Sequence, residues 1–230
     1  MKQLVLLAEG HGETSALPIL VRKVLLEREP DKRPPLDKNV IRFGASRVFR
    51  WDKTANRPDY GEWLKAIRLA GRRSKGGGVL AVYDGDLSSF PPGSGAAFCA
   101  FTAATSLAAA AVEGGAGKTF SLAVVFACVE YETWLVAGAE SLIGRRLKDG
   151  RLGLPTNTTL PLGDPESHGK RWLEKNCPNY LTARDQSALT ELLDLECVRA
   201  KGLRSFRRFE HAVDLLLEAI ASGSHICNPS

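Results

Sequence analysis

The sequence predicts an α/β fold: a mostly parallel, Rossmann-like sheet flanked by helices, with a helical extension at the C-terminal end. Two observations predict it. Uninterrupted apolar runs at Gln3 to Ala8, Val79 to Tyr83 and Ser121 to Val129 read as strands buried on both faces. Between them lie segments whose apolar residues recur at helical spacing, and strands that alternate with helices favour a parallel sheet.

Taken in order, Gln3 to Ala8 closes in Glu9-Gly10-His11-Gly12-Glu13-Thr14. Ser15 to Arg28 follows as a helix with Leu17, Leu20, Val21, Val24 and Leu25 at helical spacing, and Pro18 is tolerable in a first turn. Pro30 to Pro35 is a charged, proline-rich breaker, and Asn39 to Phe43 is a candidate second strand. Asp59 to Arg72 carries Trp63, Leu64, Ile67 and Ala70 as an amphipathic helix. Gly76-Gly77-Gly78 separates it from the strand Val79 to Tyr83, which stops at Asp84-Gly85-Asp86. Ser88 to Gly95 is a loop, and Ala96 to Val112 is an alanine-dominated helix. Ser121 to Val129 ends at Glu130-Tyr131-Glu132, and Thr133 to Ala139 opens the next helix. From Gly150 to Asn179 the composition predicts irregular structure with at most a short helix around Trp172. Ser187 to Val198 and Ser205 to Ile220 read as helices. Residues 1–140 are thus the expected core and 141–230 an extension packed on it, together one structural domain.

Length and composition agree with that reading. A chain of 230 residues is one core's worth, and 44% hydrophobic with 25% charged residues excludes disordered, collagen-like and low-complexity classes. No stretch approaches the roughly 18 apolar residues of a membrane helix, and no leader precedes the first strand, so a cytoplasmic protein is expected. The cysteines, Cys99, Cys128, Cys177, Cys197 and Cys227, are widely spaced, without a Cys-x-x-Cys pair, and support neither a disulfide framework nor a zinc site.

Carboxylates stand at the ends of all three apolar strands: Glu9 with Glu13, Asp84 with Asp86, and Glu130 with Glu132. Carboxyl ends of parallel strands line one edge of an open sheet, where ligands bind, so these groups are expected to converge. Alternation along an extended backbone puts Asp84 and Asp86 on one face, and likewise Glu130 and Glu132. Like charges gathered at one site repel unless a cation neutralises them, and hard oxygen ligands suit Mg2+ or Mn2+.

Glu9-Gly10-x-x-Glu13 after a first strand and Asp84-x-Asp86 after a later one resemble the two signatures of the Toprim superfamily. Within it they are nearest to the overcoming-lysogenization-defect nucleases. The segments Cys128 to Ala137 and Arg204 to Phe209 further resemble a family of small bacterial Toprim-like proteins known as a domain of unknown function. The resemblance implies a Toprim-like fold, with Glu9, Asp84 and Asp86 as metal ligands and Glu9 also a candidate general acid or base. It implies that Glu13 helps to hold a metal, and that Glu130 or Glu132 is an added ligand. It implies metal-dependent phosphodiester chemistry on nucleic acid, and leaves open an effector that needs a partner ATPase, as in phage defence, or a small-phosphate enzyme. A topoisomerase would need a nucleophilic Tyr from a further domain, for which the chain has no room.

Other features carry less. His11 is expected to be a solvated loop residue. Gly114 to Thr119 imitates a phosphate-binding loop, but Val112 stands where that motif needs Gly, and the segment precedes a strand. Cations outnumber anions by five, and Lys201, Arg204, Arg207 and Arg208 form a cluster expected to meet a nucleic-acid backbone. Phe206 and Phe209 are expected in the core, and Arg72, Arg73 and Lys75 on a solvated helix face.

Overall fold

The computed structural model describes residues 1–28, 34–48, 50–90, 96–161 and 169–229. It has the α/β architecture the sequence predicts. Five strands form one parallel sheet in the order β2 (Ile41–Arg42), β1 (Leu4–Ala8), β5 (Gly78–Asp84), β6 (Ser121–Ala127), β7 (Cys227–Pro229). A short antiparallel pair, β3 (Arg50–Asp52) with β4 (Arg57–Asp59), stands apart from it.

The apolar runs are strands because both of their faces are covered. Leu4, Leu6, Ala8, Leu80, Val82, Val125 and Ala127 pack on one face against α1 (His11–Arg28), α5 (Glu132–Ala137), α7 (Thr182–Leu192) and α9 (Arg204–Ser222). Val5, Leu7, Val79, Ala81, Tyr83, Val124 and Phe126 pack on the other against α3 (Gly61–Ser74) and α4 (Ala100–Ala111). The alternate residues of each strand divide between these layers, as a period of two requires.

Four local differences from the sequence reading bear on the site. Helix α1 begins at His11 rather than Ser15, with the Gly10 carbonyl accepting from the Thr14 N–H at 3.3 Å, so Glu13 is in its first turn. The expected helix Ser187 to Val198 is instead α7 and α8 (Leu195–Ala200), parted where Asp194 caps α8 by accepting from the Glu196 N–H at 2.9 Å. Helix α7 starts at Thr182, ahead of the expected Ser187, whereas α6 (Gly169–Asn176) is the short helix expected around Trp172. Strand β7 comes from the far end of the chain and lies beside β6, in the same sheet as β1.

Parts of the expected breaker at Pro30 to Pro35, of the loop Ser88 to Gly95 and of the stretch Gly150 to Asn179 lie outside the described residues. Among the described residues no helix is long and apolar enough to cross a membrane.

Candidate functional site

Numbered along the sheet alone, the strands run 2-1-3-4-5, an order that reverses at β1 and β5 and opens a crevice beyond their carboxyl ends. Glu9 follows β1 and Asp84 ends β5, so both stand at that crevice. Glu9 ties the strand ends together: its Oε2 accepts from the Asp84 N–H and its Oε1 from the Ala45 N–H, each at 3.3 Å. Burial raises the Glu9 carboxyl above its ordinary range, the two N–H bonds partly offset this, and the charges of Asp86 and Glu13 raise it further.

Asp84 accepts from the Tyr131 N–H at 2.9 Å, which links β5 to the start of α5. Its carboxyl is pushed well up, by burial first and then by the charges of Glu13, Glu132 and Glu9. Glu132 is buried, accepts from the Tyr180 hydroxyl at 3.0 Å and from the Thr182 hydroxyl at 3.3 Å, and is raised chiefly by burial. Glu13 is 6% exposed; its Oε1 accepts from Gln186 Nε2 at 3.1 Å, while Oε2 is enclosed without a hydrogen-bond partner.

The glycines of the first loop make this packing possible. A Cβ on Gly10 would stand 2.3 Å from Glu13 Oε2, and one on Gly12 would stand 2.1 Å from Gln186 Oε1. A side chain at either position would displace the Glu13 or Gln186 end group from the place it holds here.

Asp84 thus lies within electrostatic reach of Glu9, Glu13 and Glu132, and Glu13 within reach of Glu9 and Glu132. Asp86 is exposed, two residues beyond the end of β5 at Asp84, and its charge bears on Glu9. Of the pair after β6, Glu132 is the one packed into the cluster. Glu130 is half-buried and accepts from the Lys170 N–H of α6 at 2.6 Å. His11 is exposed at the start of α1. Among the described residues no ion pair reaches any of the six acids.

Sequence reasoning missed Tyr180, Thr182 and Gln186, because it placed the helix start after them. The one available signal was Asp185 and Gln186 standing one turn before the buried Leu189 and Thr190. At the start of α9, Lys201, Arg204 and Arg207 are exposed and Arg208 is half-buried. Phe206 and Phe209 are in the core against Trp134, whose indole N–H donates to the Ser205 hydroxyl at 3.0 Å. A recess of about 820 Å3 between Leu25, Leu217 and Ile220 lies at the other end of the sheet, away from these acids.

The donor chemistry fits a hard divalent cation: oxygen ligands only, clustered, with one buried carboxylate oxygen unpartnered. Among the described residues no three His, Cys, Asp or Glu side chains are already arranged to hold an ion. Binding therefore requires the side chains to close, with water or substrate oxygens completing the shell.

A family model matches residues 8–214, from the end of β1 into α9. The chain belongs to the family described as a domain of unknown function, DUF4276. Every acid of the cluster and all four cations of the Lys201 to Arg208 segment lie within the matched span. Comparison with curated proteins and with solved structures gave no match.

Proposed function

We propose that this DUF4276 chain is a Toprim-type endonuclease that hydrolyses nucleic-acid phosphodiesters with Mg2+ or Mn2+. One observation carries the reading: carboxylates at the ends of three adjacent parallel strands lie near the sheet's switch point, Glu13 and Glu132 buried and Glu9 and Asp84 half-buried, and among the described residues no cation of the chain pairs with them. Charges held in this way raise each other's proton affinity and favour an external cation.

Glu9, Asp84 and Glu132 are the ligands in this reading, with Asp86 and Glu130 joining from the rim. A bound Mg2+ or Mn2+ supplies charge neutralisation at the phosphate and a more acidic water. Glu13 is held by Gln186 on one oxygen, which leaves the other to accept a proton or a ligand bond. Glu132 is fixed by Tyr180 and Thr182 so that its carboxylate does not swing to solvent. The first turn of α9 is anchored to α5 through Ser205 and Trp134, two residues beyond Glu132. Arg204, Arg207 and Arg208 would there neutralise the phosphates of the strand leading to the cluster, without reading its sequence.

The test is cleavage of supercoiled plasmid with Mg2+, Mn2+ or EDTA, beside a variant carrying Asp84→Ala and Asp86→Ala. Metal-dependent nicking that the variant lacks is the expected result. No cleavage by the parent, with calorimetric metal binding that the variant loses, replaces the autonomous nuclease by an effector awaiting a partner ATPase or by a small-phosphate enzyme. Full activity in the variant ends the site assignment.

A further inference from the structure

Where β5 and β6 begin, at the end of the sheet away from the carboxylates, the C-terminal half of α3 and the turn before β6 border a recess of about 440 Å3. Its lining includes Arg68, Arg72, Lys75, Thr119 and Phe120. Arg68, Arg72 and Lys75 are spaced by four and three residues, which puts them on one face of α3 and its cap. Among the described residues none of these three forms an ion pair or donates a side-chain hydrogen bond. Their neighbour Arg73 is used differently, paired with Asp37 at 2.7 Å and bonded to the Asn39 carbonyl. Of the three cations expected on a solvated face, Arg72 and Lys75 are exposed, while Arg73 ties the fold; Arg68, one turn earlier, joins Arg72 and Lys75 around the concavity.

Lys75 has φ +53° and ψ +44°, the left-handed conformation in which glycine is the unstrained residue, and Gly76, Gly77 and Gly78 follow it directly. Gly76 is left-handed as well, at φ +75°, and a Cβ on Gly77 would stand 2.2 Å from the Gln3 carbonyl oxygen, so Lys75 is the residue of this stretch that carries a side chain to the recess in a left-handed conformation. The Gly114 to Thr119 turn contributes no free backbone donors from its last five residues. The N–H groups of Gly115, Ala116, Gly117, Lys118 and Thr119 all bond backbone carbonyls, as the rejected phosphate-loop resemblance requires. From those five residues of the turn, recognition falls to the side chains.

Arg68, Arg72 and Lys75 are exposed and border one concavity, an arrangement that suits a ligand with several negative charges in a small volume, and the recess has the size of a small-molecule site, about 300–1,000 Å3. We propose that it binds the oligophosphate group of a small molecule, gripped by Arg68, Arg72 and Lys75. This site does not depend on the phosphodiesterase reading.

The experiment is calorimetric titration of inorganic pyrophosphate into the full chain in EDTA, which removes any metal-bridged binding at the carboxylates. Arg72→Ala, Lys75→Gly and Asp84→Asn are measured beside the parent. Saturable binding by the parent and by Asp84→Asn is expected, weakened about tenfold or more in Arg72→Ala and Lys75→Gly. Lys75→Gly places glycine at a left-handed position, so its thermal midpoint is expected at or above the parent's, and weaker binding there does not come from a lost fold. ADP as a competitor separates the sources: displacement of pyrophosphate assigns the site to a nucleotide, and binding that ADP does not displace assigns it to inorganic oligophosphate. No saturable binding by the parent at millimolar pyrophosphate overturns the proposal. So does equal affinity in Arg72→Ala and Lys75→Gly, or loss of binding in Asp84→Asn.

Discussion

Consecutive residues of α7 serve two buried acidic sites that reach opposite electrostatic solutions. Asp185 is wholly enclosed and accepts from Arg184 at 2.7 Å, Arg151 at 2.8 Å and the Leu181 N–H at 2.8 Å. Burial alone would raise its carboxyl, but these bonds together outweigh it and hold it at about 2. Gln186, the next residue, turns to Glu13 and supplies one neutral hydrogen bond to a group of four acids that no described cation pairs. The same helix thus completes one charge site and leaves its neighbour open. A buried acid neutralised within the chain is costly to break, whereas a cluster left unpaired holds its members at raised proton affinity and is the kind of place where a ligand acts.

The largest expected effect falls on the completed site. Asp185→Ala should remove about 3 kcal/mol of stability in urea unfolding, near the lower end for a broken buried pair because Arg151 and Arg184 are 32% and 44% exposed. Asp84→Asn, which keeps an acceptor for Tyr131 and removes a charge, should raise stability in EDTA by about 1 kcal/mol. Loss of stability in both variants would erase the contrast.

Divalent ions sharpen it from the other side. Mg2+ or Mn2+ at a hundredfold excess over Kd should stabilise the parent by about 2.7 kcal/mol and leave Asp84→Asn unmoved, read as thermal midpoints. Equal shifts in both would put the ion elsewhere.

A smaller difference lies in pH. Asp185 has a lowered folded value, so its contribution is complete above its ordinary 3.8 and is lost as pH falls through about 2. Glu9, Asp84 and Glu132 have raised values, so the folded chain holds their protons more tightly, and stability in EDTA falls as pH rises above about 4. Urea midpoints should therefore decline from pH 5 to pH 7 in the parent and decline less in Asp84→Asn; a parent profile that rises over that interval contradicts the cluster's assignment. A change equal in size to that of Asp84→Asn and opposite in sign is expected of Tyr180→Phe, which takes one donor from Glu132 and should cost about 1 kcal/mol by the same measurement.

The three long strands and the acids that end them were legible because a strand buried on both faces leaves an unbroken apolar run, closed where the backbone returns to polar surroundings. Local periodicity also placed α3 and α9 to within a few residues. The β3–β4 pair and β7 escaped it: three-residue strands carry too short a pattern, and Cys227–Pro229 becomes a strand only because β6 offers its edge. The extent of α7 escaped for a similar reason, since Asp185 and Gln186 interrupt the apolar face that marks a helix.

By itself the sequence determined the alternation of strands and helices, the sheet class and the set of acids at the strand ends, all of which follow from interactions between near neighbours in the chain. Only the tertiary structure decided which acids share a site. It drew Glu132 in against Tyr180 and Thr182, held Glu130 outside on α6, set Asp86 at the rim beyond the last strand residue, and brought Gln186 across to Glu13. Those choices depend on contacts between segments up to 173 residues apart, and on the burial those contacts create, which no local pattern encodes.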